Sequence, residues 1–122
     1  MFVPSHRLSV AVLSAPRPNE QTLSNTLRSL HEAGFGKTLV FAEPGSEHPA
    51  NLYDAHWVRN DKVLGPRQNF VNAIRTVVEI EPGCPFLLLC EDDIECHPGT
   101  ARYVDDVLLA DEMVSAFSDG LC

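Results

Sequence analysis

Three consecutive carboxylates, Glu91, Asp92 and Asp93, follow directly on an apolar run, Phe-Leu-Leu-Leu-Cys at positions 86–90. Neighbouring carboxylates repel, by roughly 1 kcal/mol per pair at ~4 Å in water and about 4 kcal/mol at an effective dielectric of 20. A fold that holds them at the edge of its core therefore calls for a cation, or a ligand rich in hydroxyls, to offset that repulsion. The apolar run reads as a strand buried on both faces, as in a parallel sheet. Its carboxyl end is where open α/β sheets bind their ligands. Three further charged residues stand at turns that the same sheet edge would gather: Arg17 after the first strand, Glu43 after the second, and Arg67 at the start of a helix. Forked guanidinium donors suit phosphate oxygens. A hard divalent cation, Mg2+ or Mn2+, prefers carboxylate and phosphate oxygens and takes only one or two ligands from the protein. Together these residues describe a site for a nucleoside diphosphate and a metal.

The elements that must position them alternate along the chain. The segment 8–13 predicts a strand. Asn19 caps a predicted helix over 20–33, with Leu23, Leu27 and Leu30 in one apolar stripe. Residues 38–42 predict a second strand and 56–58 a short, weaker one. A helix opens at Gly65-Pro66-Arg67, with Phe70, Val71, Ile74, Val77 and Val78 assigned to its inner face, and stops at Glu81-Pro82-Gly83. After strand 86–90, a third helix runs from His97-Pro98-Gly99-Thr100 to about residue 110, with Val104, Val107 and Leu108 inward. Residues 113–117 read as the start of a further strand. Alternation of this kind predicts a three-layer α/β/α, Rossmann-like fold with a mostly parallel sheet.

Composition sets the bounds. The 122 residues amount to one domain spanning 1–122. A net charge of −8 argues against a general nucleic-acid or anionic-membrane surface, which needs a basic face. No apolar window is long enough for a transmembrane helix, and the first seventeen residues lack the apolar core of a signal peptide. A cytoplasmic location is the resulting expectation. It carries with it the expectation that the four cysteines, Cys84, Cys90, Cys96 and Cys122, are reduced. Cys84, Cys96 and His97 lack a C-x2-C pair and do not make a convincing zinc set.

The stretch Leu-Leu-Leu-Cys-Glu91-Asp92-Asp93-Ile94-Glu95-Cys-His-Pro98 resembles the metal-binding segment of GT-A glycosyltransferases, especially the Glu-Asp-Asp form of N-acetylglucosaminyltransferase I. The Arg67-Gln68-Asn69 helix start resembles N-acetylglucosaminyltransferase IV-like enzymes, and the block 8–30 resembles the first β-α unit of that fold. The resemblance implies a glycosyltransferase, or its donor-binding half, that takes a nucleotide-sugar, a UDP-sugar by preference, with Mn2+ or Mg2+. Position by position it implies Asp93 as the metal ligand, and Asp92 and Glu91 toward the ribose and sugar. It likewise implies Glu43 at the nucleotide base, Arg67 near the base or diphosphate, and Arg17 where the base docks. A complete GT-A domain is roughly twice this length, so the resemblance implies the amino-terminal half, with the acceptor and the catalytic base unassigned. An open sheet edge would then accept a partner chain or a second copy. The alternative is a non-catalytic nucleotide-sugar-binding or regulatory module on a doubly wound fold. Response regulators, which also cluster acids around magnesium, carry an acid pair after the first strand, and here that strand ends Ser14-Ala15-Pro16.

Overall fold

The structure, a computed structural model, describes residues 8–17, 22–84 and 86–108. Four strands, β1 (Leu8–Ser14), β2 (Thr38–Ala42), β3 (Ala55–Arg59) and β4 (Phe86–Glu91), form one sheet in the order β3-β2-β1-β4. Every pairing is parallel, with Val12 opposite both Val40 and Cys90. Helix α1 (Leu23–Glu32) connects β1 to β2 and α2 (Gly65–Ile80) connects β3 to β4. A short helix α3 (Thr100–Tyr103) continues as a π-helical turn over Val104–Leu108. The result is an α/β fold with a parallel sheet. Helix α1 begins at Leu23 with Thr22 as its N-cap, later than the expected start at Glu20; Asn19, the end of the third helix near residue 110, and the strand at 113–117 lie outside the described residues.

Parallel pairing requires both faces of the sheet to be covered, and two packed cores cover them. On one side Leu23, Leu27 and Leu30 of α1 meet Val10, Val12, Val40, Leu88 and Cys90, with Val104 beyond them. The leucine stripe read from the sequence is this contact, and Leu30 is fully buried. The carbonyl end of α1 turns at Gly34, whose φ of 102° a side chain would resist. On the other side α2 packs on Ala11, Leu39 and Phe41 through Ala73 and Val77.

Two expectations are corrected. Of the five residues assigned to the inner face of α2, only Val77 is buried; Phe70, Val71, Ile74 and Val78 are exposed. Asn69, Ala73 and Val77, spaced i, i+4 and i+8, make the buried line instead. Small Ala73 brings the helix close to Ala11 of β1, and this selects one edge of a wide apolar arc. The cysteines are the second correction. Cys84 and Cys90 are reduced, but Cys96 is disulfide-bonded, with its partner outside the described residues. Such bonds are characteristic of oxidising compartments and rare in the cytosol. Among the described residues no helix is long and apolar enough to cross a membrane.

Two outcomes are expected. Leu30→Ala leaves a cavity under the sheet and lowers unfolding free energy by about 2–5 kcal/mol in urea denaturation. Burial pushes the Cys90 thiol from 9.0 up to about 12. Its contribution to stability is therefore whole below pH 9 and is lost as the pH rises toward 12. The urea midpoint of the native chain should fall more steeply over that window than that of Cys90→Ala.

Candidate functional site

The chain leaves β1 in one direction, to β2, and returns to its other side at β4, so the carboxyl ends of β1 and β4 flank a topological switch point. A cavity of about 400 Å³ opens there, over the carboxyl ends of β1, β2 and β4. One wall is residues 13–17, a second is Glu43, a third is the start of α2 with Val63, Pro66, Asn69 and Phe70, and the rim is Glu91 and Asp92.

Asp92 holds this edge together. Its side chain is almost wholly buried. Oδ2 accepts hydrogen bonds from Ser14 Oγ (2.9 Å) and Ala15 N (3.2 Å). Oδ1 accepts from Arg17 Nε (3.0 Å) and Nη2 (2.6 Å). A carboxylate offers about four lone-pair sites, and the protein fills them. The backbone at Asp92 is held from below by α1: Thr26 Oγ1 shares its proton between Asp92 O and Ile94 O, each at 2.8 Å. Ser29 Oγ accepts from Cys96 N at 3.0 Å and donates to Thr26 O at 2.9 Å. The acidic loop is thus clamped between β1 and α1.

Glu43 does the same work one strand away. It is buried, its Oε1 accepts from Asn60 Nδ2 (2.6 Å), and its Oε2 accepts from the backbone N–H groups of Leu64 (2.8 Å) and Gly65 (2.9 Å). Those two amides converge on one oxygen because Leu64 takes φ −94° and ψ −28°, and Gly65 then turns the chain at φ 81°, a conformation that costs an L-residue roughly 1–2 kcal/mol. Asn60 Nδ2 also donates to Asn69 Oδ1 (2.9 Å), and Asn69 Nδ2 donates to Phe41 O (3.2 Å). A carboxylate at the amino end of a helix is stabilised by its dipole, and this one fixes where α2 begins.

The remaining acids face outward. Asp93 is 43% exposed along its side chain, with Arg17 Nη2 3.5 Å from Oδ2, and Glu91 is exposed. Arg17 pairs with both Asp92 and Asp93, while Glu43 and Glu91 line the same cavity as Arg17. Only Glu91 and Asp93 have oxygens open to solvent, and one or two such ligands are what a hard divalent cation takes from a protein alongside phosphate. Among the described residues no group of three or more His, Cys, Asp or Glu is arranged to hold a metal by itself.

Five of the six residues singled out in the sequence therefore meet at one edge. Glu43, Asp92 and Arg17 are joined into its framework, Glu91 lines the cavity, and Asp93 is exposed beside it against Arg17. Arg67 is exposed and does not line the cavity. Sequence reasoning passed over Ser14, Thr26, Ser29 and Asn60. A trace of the first three was available, since Thr26 and Ser29 sit at i and i+3 beside the leucine stripe and Ser14 follows the apolar run 10–13 of β1. Comparison with protein-family models, with curated proteins and with solved structures returns no match.

Asp92 and Asp93 are expected to separate by stability. Asp92→Asn loses the paired charge on Arg17 and mismatches a donor set built for a carboxylate. After allowance for the partial exposure of Arg17, it should cost about 1–3 kcal/mol in chemical denaturation. Asp93→Asn should stay within about 0.5 kcal/mol of the parent.

Proposed function

We propose that the crevice binds a nucleotide-sugar together with Mg2+ or Mn2+, and that the chain is the donor-binding part of a GT-A-type glycosyltransferase. The observation that carries this is the division of labour among the three acids. Asp92 is locked by Ser14, Ala15 and Arg17, and that lock leaves Glu91 exposed on the lining of a largely apolar cavity, with Asp93 exposed next in the chain and 3.5 Å from Arg17 Nη2. Asp93 would hold the cation, with Glu91 beside it, and the diphosphate would supply further oxygens. The cation would neutralise charge on a departing diphosphate. Val63, Pro66 and Phe70 offer apolar surface to a planar base, and Ser14 and Asn69 stand among them as polar groups. Arg17 works through Asp92, orienting the loop, and lowers the local excess of negative charge.

A binding role without transfer has its own support. The two carboxylates deepest in the site, Glu43 and Asp92, are committed to hydrogen bonds within the protein. Neither stands ready as the general base that an inverting transfer requires. Transfer would therefore draw its base from a group other than these two.

Isothermal titration of the chain with uridine diphosphate, with and without Mn2+, tests the proposal. Binding should require the metal, and Asp93→Ala should weaken it at least about tenfold, equivalent to ~1.4 kcal/mol. Equal affinity with and without metal, or an unchanged Asp93→Ala, would sink it. A mass-tagged UDP-sugar then separates the two roles by whether the sugar leaves the nucleotide.

A further inference from the structure

The outer face of α2 carries an apolar stripe that nothing among the described residues covers. Phe70 is 46% exposed, Val71 41%, Ile74 38% and Val78 62%. At about 100° per residue these four occupy one continuous arc, next to the buried line of Asn69, Ala73 and Val77. The helix thus has two apolar faces and the sheet uses one.

The stripe is self-complementary when read in opposite directions. Ile74 is its midpoint. Phe70 and Val78 lie four residues to either side, and Arg67 and Glu81 lie seven residues to either side. An antiparallel second helix, related by a two-fold axis at Ile74, sets Phe70 against Val78 of the other copy and Arg67 against its Glu81. Both charges are misplaced for their own helix, a cation at the amino end and an anion at the carboxyl end, with no acid in the first turn and no base in the last. An antiparallel neighbour reverses this, because each charge then lies beside the opposite pole of the other helix. Arg67 has no hydrogen-bond or ion-pair partner among the described residues.

We propose that α2 is a homodimerisation surface, with two copies of the chain packing α2 against α2 antiparallel about Ile74. Such a contact is isologous and closes on itself. Phe70 also borders the cavity, yet the pairing does not depend on what that cavity binds.

Sedimentation equilibrium of the full chain over micromolar to millimolar concentration tests this, with circular dichroism to verify folding. The native chain should show a reversible monomer–dimer equilibrium. Ile74→Arg sets two like charges on the axis and should abolish the dimer. Arg67→Glu and Glu81→Arg should each raise the dissociation constant about three- to tenfold. The double exchange should return it to within about threefold of native, as coupled charges require. A native chain monomeric throughout, a dimer that survives Ile74→Arg, or a double exchange no tighter than either single one would each overturn the proposal.

Discussion

The buried carboxylate of Asp92 is the constraint around which the molecule is arranged. A charged group this deep is tolerated only when its oxygens are satisfied. Satisfying them requires Ser14 and Ala15 at the end of β1, Arg17 in the following turn, and the end of β4 to be brought to one point. Register between β1 and β4, the path of the chain after β1 and the placement of the acidic loop all follow from that requirement. Thr26 and Ser29 extend it to α1, so one helix face carries leucines for the sheet and hydroxyls for the loop.

Glu43 repeats the device at the end of β2. One carboxylate ties the central strand to its edge neighbour β4, and the other ties β2 to the loop and helix beyond β3. Between them they set the distance across the cavity. Their chemistry differs in one respect: Asp92 is matched by a guanidinium, while Glu43 is matched by backbone and asparagine N–H groups alone. The first therefore keeps a formal charge balance at the mouth. The second leaves its negative charge to be offset by dipoles, and this biases the crevice toward cations.

Much of the framework was legible in the sequence because parallel sheets advertise themselves. Strands buried on both faces have no polar alternation, so β1, β2 and β4 stand out as apolar runs ending in turn residues. The stripe Leu23, Leu27 and Leu30 named the face of α1 directly. For α2 the periodicity measured an apolar arc wider than one contact needs, and it could not say which edge of that arc meets the sheet. Small Ala73 and polar Asn69 decided it, and neither scores as a core residue. The acids illustrate the other boundary. That Glu91, Asp92 and Asp93 belong to one site could be read from a strand end. That Asp92 faces inward while its neighbours face out depends on Ser14 and Arg17, 78 and 75 positions away. Cys96 is similar, since nothing in cysteine spacing without a recognisable pattern says which thiols pair.

The parallel pairing of β1 with β4 has a consequence in time. β1 is one of the two inner strands of the sheet, yet it acquires its second neighbour only when a segment 78 positions later arrives. Closing a loop that long carries its entropic cost before any contact rewards it, and such topologies fold slowly. During synthesis the first β-α-β unit can collapse early, while Ser14 and Arg17 wait without their carboxylate. The crevice comes into being in the same event that completes the sheet. Occupancy of that crevice is therefore a report on whether β1 and β4 have met, and a ligand that fills it acts on a contact that forms late and slowly.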